Sequence, residues 1–210
     1  MPSVPLHSLT ERYAFLDPAG GSTQQKKSNQ ARTAIICVAA NQTGHVFVLH
    51  AWAGRISPTE IMERCFECIQ LWHPRVFGVE ASAQQSLFAG VLAEEALKRG
   101  YDLPLELVHQ PPQLHKDERI RAAVQPMARA GRLFIQPHHH ELNKELQTFP
   151  TGMTKDLVDA LASAINLIPP RLLAARQSSS SLDAAKADYM QRLGMTPSPE
   201  TLADLFAKSL

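Results

Sequence analysis

Phe15-Leu16-Asp17-Pro18-Ala19-Gly20-Gly21 is the stretch around which the chain is organised. An apolar approach delivers one carboxylate, and the backbone then breaks. Proline fixes φ and carries no N–H, while the two glycines reach conformations closed to other residues. A strand that ends this way holds an aspartate at the rim of a sheet. Residues 12–17 therefore read as a first strand. Residues 18–30, rich in Gly, Ser, Gln and Lys, read as a mobile loop.

Outward from this stretch, T-A-I-I-C-V-A-A at 33–40 is nearly all apolar, which fits a strand buried on both faces. Asn41-Gln42-Thr43-Gly44 is a turn, and residues 45–52 complete a hairpin. Ser57-Pro58-Thr59-Glu60 begins a helix with a Ser N-cap, Pro at the first position and Glu at the third. That helix runs to about Trp72, with Ile61, Cys65, Cys68, Ile69 and Trp72 on one face. A fourth strand, 75–80, also ends on a carboxylate, Glu80. Ser82-x-x-Gln85 opens a helix over 83–99 that Gly100 closes, and 103–109 is a fifth strand.

Residues 116–131 read as a helix with Ile120, Val124, Met127 and Ala128 inward. A short extra strand at 132–136 and a short helix at 141–148 follow. Residues 155–168 form a helix with Leu157, Leu161, Ala164, Ile165 and Ile168 on its apolar side, stopped by Pro169-Pro170. Residues 1–11 are then a lead-in, 12–170 the folded domain, and 171–210 a serine-rich linker and tail. Three antiparallel strands followed by alternating helices and strands predict an α/β fold with an RNase H-like mixed sheet flanked by helices.

Composition narrows the function without naming it. Of 210 residues, 44% are apolar and 20% charged, as in soluble globular proteins. The net charge of +1 makes any nucleic-acid surface a local patch. No apolar run reaches membrane-spanning length and no leader segment is evident, so a cytosolic protein without a membrane partner is expected. Cys65-x-x-Cys68 lies within a predicted helix, with no second pair at zinc-finger spacing, and reads as core. His138-His139-His140 are consecutive and point in different directions, so they read as a polar loop or helix start.

The chemistry rests on carboxylates. Asp17 and Glu80 end strands, and Asp156 and Asp159, three apart, share the first turn of a helix face. Clustered carboxylates repel unless cations neutralise them. Hard oxygen ligands without paired His or Cys suit Mg²⁺ or Mn²⁺. Two such ions about 4 Å apart stabilise the attacking and leaving oxygens of a phosphoryl displacement.

Several segments together resemble the nuclease domain of phage terminase large subunits. They are Phe15–Gly21 with Ala34-Ile35-Ile36-Cys37-Val38, Phe77-Gly78-Val79-Glu80-Ala81, and His115-Lys116-Asp117-Glu118-Arg119-Ile120 with Gly131-Arg132-Leu133. Glu145-Leu146-x-x-Phe149-Pro150 and Lys155-Asp156-Leu157-Val158-Asp159-Ala160-Leu161 complete the set. The resemblance implies an RNase H-like endonuclease that cuts concatemeric viral DNA, working in a host bacterial cytoplasm. It implies two divalent ions, Mg²⁺ or Mn²⁺, held by Asp17, Glu80 and the Asp156/Asp159 pair. Which aspartate is the main third ligand stays open, because Lys155 stands where the family often has another acid.

The Asp-x-x-Asp-Ala-Leu-Ala pattern is also similar to that of Holliday-junction resolvases in the same superfamily. The alternatives are therefore another RNase H-like nuclease, of resolvase or transposase type, or a non-catalytic docking module. No G-x-x-x-x-G-K-[ST] loop is present, so the packaging ATPase domain that normally precedes such a nuclease is an expected partner, with this chain either a domain excised from that longer protein or a separately encoded nuclease. Other implied partners are double-stranded DNA, the small terminase subunit and the portal, with the tail as a candidate docking segment. Lys116, Arg119 and Arg121 are candidates for phosphate contact beside the ions, and Lys26 and Lys27 in the loop after Asp17 are a second set.

Overall fold

The computed structural model describes residues 9–18, 32–81, 83–109 and 115–174. Six strands, β1 (Glu11–Asp17), β2 (Thr33–Ala40), β3 (Val46–Gly54), β4 (Val76–Glu80), β5 (Leu105–Val108) and β6 (Leu133–Phe134), form one sheet in the order β5-β4-β1-β2-β3-β6. β2 is antiparallel to β1 and β3, whereas β4 is parallel to β1, β5 to β4 and β6 to β3. This is the RNase H-like mixed sheet that the element order predicts.

Every residue of β2 is buried, as its unbroken apolar run requires of a central strand covered on both faces. One face packs under α1 (Pro58–Trp72) and α2 (Ala83–Lys98). The other packs under α3 (Lys116–Arg129), α4 (His140–Thr148) and α5 (Asp156–Asn166). Helix α1 begins with the predicted capping box: Ser57 N–H donates to Glu60 at 2.8 Å, and Glu60 N–H to the Ser57 hydroxyl at 3.3 Å. Cys65 and Cys68 are buried with Cys37, as expected of core residues. Trp72, expected among them, is only half-buried at the helix end. The helix that Ser82 was expected to cap is present, but Ser82 itself lies outside the described residues.

Two local expectations change. Helix α5 ends at Asn166, and Pro169-Pro170 begins a further short helix, α6 (Pro170–Leu173). Proline suits a first helical turn as well as it stops a preceding one. Leu172 and Leu173 pack on the core, and Arg132 Nη1 donates to the Leu173 carbonyl at 2.7 Å. Helix α5 is also buried all round, from Leu157 to Ile165, instead of along one stripe. It packs on β1, β2, β3, α3 and α4, and Ala160, Ala162, Ser163 and Ala164 let these neighbours approach. None of the described helices is long and apolar enough to cross a membrane.

Candidate active site

Parallel pairing brings the first two carboxylates together. Leu16 of β1 lies opposite Val79 of β4, so the next residues, Asp17 and Glu80, leave the sheet side by side. Neighbouring strands run about 4.8 Å apart, and alternate residues share a face. Asp17 therefore shares the face of Phe15, which belongs to the core beneath α5. Gly78 belongs there too. A Cβ on it would stand 2.8 Å from both the Phe15 ring and the tip of Leu167, so any larger residue would push these side chains aside where the end of α5 meets β4.

The Asp17 and Glu80 carboxyl groups hydrogen-bond to each other. Burial, the neighbouring Glu80 and then Asp159 hold the Asp17 carboxyl well above its usual range, against a smaller opposing pull from Lys116. Asp17 therefore gives up its proton less readily than an isolated carboxylate would.

Asp159 supplies the third acid from within α5, where it is only 4% exposed. A carboxylate so buried needs charge partners. Helix α3 provides them: Lys116 Nζ stands 2.9 Å from Oδ2 and Arg119 Nη2 2.6 Å from Oδ1. Burial pulls Lys116 down, but Asp159, Asp17 and Asp156 outweigh it and hold the ammonium above its usual range. The two cations are not equivalent. Lys116 is 44% exposed, whereas Arg119 is 12% exposed and embedded against Asp159. Arg121 lies with its guanidinium carbon 5.8 Å from the centre of the Phe149 ring. Lys26 and Lys27 lie outside the described residues.

Asp156 goes elsewhere. Its Oδ2 accepts from Arg32 Nε at 3.0 Å, while Arg32 Nη1 donates to Glu141 at 2.8 Å and Nη2 to Glu145 at 2.5 Å. The other oxygen of Glu145 accepts from the backbone N–H groups of Leu157, at 2.9 Å, and Val158, at 3.1 Å. Burial outweighs these hydrogen bonds and Arg32 and leaves the Glu145 carboxyl above its usual range. Lys155 donates to Asp117 at 2.8 Å, so the cation in the acidic motif is tied to α3. His138 and His139 lie in the turn before α4, and His140 is its first residue.

Sequence reasoning names Asp17, Glu80, Asp156 and Asp159, and names Lys116 and Arg119 as phosphate contacts instead of partners of Asp159, but it misses the network around Asp156. Arg32 precedes β2 without a motif of its own, and Glu145 is visible only as part of Glu145-Leu146-x-x-Phe149-Pro150.

The donor set suits hard divalent cations: three carboxylates from three elements, two of them side by side at the ends of paired strands. Among the described residues, no three His, Cys, Asp or Glu side chains already converge on one point. Asp159 is turned onto the α3 cations and Asp156 onto Arg32.

No protein-family model matches this sequence, and no curated relative does. Among solved structures, RuvC of Thermus thermophilus in complex with a Holliday junction substrate is 17% identical. It covers 73% of this chain and 90% of its own, at a TM-score of 0.44. A second Thermus thermophilus RuvC structure, also 17% identical, covers 78% and 98%, at a TM-score of 0.45.

Proposed function

We propose that this chain is a divalent-metal-dependent DNA endonuclease, and that its biological role is the nuclease of a viral packaging terminase cutting concatemeric double-stranded DNA. The observation that supports the reading is Asp17 beside Glu80 at the ends of two paired strands, with Asp159 of α5 close enough to raise the Asp17 carboxyl. These three carboxylates are the proposed metal ligands, with Asp17 between the other two. Asp156 borders them, engaged by Arg32.

When bound, two Mg²⁺ or Mn²⁺ ions supply water activation and charge balance on the leaving 3′ oxygen. The protein's own part is positioning. Strand pairing puts Asp17 beside Glu80, and α5 carries Asp159 within electrostatic reach of Asp17. Lys116, half-exposed at the rim, is placed to meet a phosphate. Arg119 neutralises Asp159 from the buried side.

The test is cleavage of plasmid DNA with Mg²⁺ or Mn²⁺, stopped by EDTA. Asp17→Asn should abolish it with the fold intact, and full activity in that variant would sink the assignment. A resolvase is the second reading, supported by the Asp156-x-x-Asp159-Ala160-Leu161-Ala162 pattern. Symmetric cutting of four-way junctions in preference to linear duplex would favour it over the terminase role.

A further inference from the structure

Arg32 is spread over three carboxylates. Its Nε, Nη1 and Nη2 each donate to a different partner, Asp156 of α5 and Glu141 and Glu145 of α4. The side chain is only 16% exposed and all three nitrogens are engaged, so it is not free to take a phosphate. Glu145, 3% exposed, uses its second oxygen to accept from the first-turn amides of Leu157 and Val158. Those N–H groups have no partner inside the helix, and a carboxylate there also meets the positive end of its dipole.

The path from sheet to site is short. Asp17 pairs with Ala34, and Arg32 precedes Ala34 by two residues on the same strand approach. From Arg32 the hydrogen bonds run to Glu145, then to the backbone of Leu157 and Val158, and the next residue is Asp159. Asp156, on the same turn, is held by the same guanidinium.

We propose that Arg32 and Glu145 are positioning residues: a clamp that sets the first turn of α5 so that Asp159, and not Asp156, faces Asp17 and Glu80. The inference rests on the reading of those three carboxylates as divalent-ion ligands. The clamp requires arginine specifically. Its planar fork fixes three directions at once, whereas lysine offers a compact charge on a flexible stem.

The experiment is Mn²⁺ titration of the full chain without DNA, followed by electron paramagnetic resonance and calorimetry. Residues that orient ligands typically cost 10–100-fold in metal affinity when changed. Arg32→Lys, which keeps the charge and loses the fork, is expected to weaken Mn²⁺ binding about tenfold, as is Glu145→Gln. The control is Arg99→Lys, which loosens an arginine paired with Glu63 and Glu95 far along the chain and should leave Mn²⁺ affinity unchanged. If one clamp variant fails to fold, the other decides.

Unchanged affinity in a folded clamp variant, with affinity lost in Asp159→Asn, overturns the clamp and leaves the site standing. Unchanged affinity in Asp17→Asn and Asp159→Asn as well overturns the ligand reading and the clamp with it.

Discussion

Asp156 and Asp159 lie on one turn of α5, yet they belong to two clusters built on opposite terms. The inner cluster gathers Asp17, Glu80 and Asp159, where Asp17 has acids as its near neighbours and the cations sit on Asp159. Asp17 hydrogen-bonds to another acid, and its proton is held against its ordinary tendency to leave. The outer cluster gathers Asp156, Glu141 and Glu145 around Arg32, with each acid given a donor. In the first, both cations pair with Asp159 while Asp17 meets another acid; in the second, one guanidinium donates to all three acids. An acid that faces another acid gains most from an added cation, whereas one that already accepts from arginine gains little.

The largest expected effect sharpens that contrast at its centre. Glu80→Gln removes one of two acids in contact, so cleavage should fall to the level seen with EDTA. Thermal stability should hold or rise, because a repulsion is relieved. A parallel melt and plasmid assay checks both, and loss of activity together with loss of fold would break the comparison.

Next comes the pair itself. Asp159→Asn should abolish cleavage, while Asp156→Asn should keep most of it, since an amide oxygen can still accept from Arg32 Nε. Equal loss in both variants, measured as initial rates, would erase the distinction between the clusters.

A third prediction concerns the cations of the inner cluster. Arg119→Gln leaves Asp159 buried with half its charge partners, and breaking such a pair costs roughly 3 kcal/mol. Lys116→Gln removes a partner that is 44% exposed, and solvent screening limits its cost to about 1 kcal/mol or less. Urea denaturation should rank them in that order.

The last prediction belongs to neither cluster. Burial first, then the neighbouring His138, lowers the His139 imidazole from its usual range to about 4. The unfolded chain therefore binds this proton more readily than the folded one. Its contribution to stability is complete above about pH 6.5 and is lost as pH falls toward 4. His139→Asn should flatten that part of the stability profile without altering Mn²⁺ affinity. A change in ion binding would show that the turn before α4 communicates with the clusters.

Much of this architecture is legible along the chain. The Ser57 capping box, the two-faced burial of β2 and the inward face of α3 each follow from residue type at fixed spacing. The strand-ending acids could be named for the same reason: Asp17 and Glu80 stand where apolar runs break off. Less legible was the burial of α5 on every side. Its alternation of leucine and small residues looks one-sided until α3 and α4 are placed over it.

By itself the sequence determined the order of elements and the identity of the acids, because strand and helix periodicities and chain breaks are local properties. Only the tertiary structure separated Asp156 from Asp159. Three residues along a helix turn a side chain by only about 60°, so local spacing puts both on one face. Their surroundings come from far away. Arg32, 124 positions before Asp156, draws one outward, while Lys116 and Arg119 of α3 meet the other where it faces Asp17. Which acid faces which neighbour is a matter of long-range packing, and no pattern within the helix carries it.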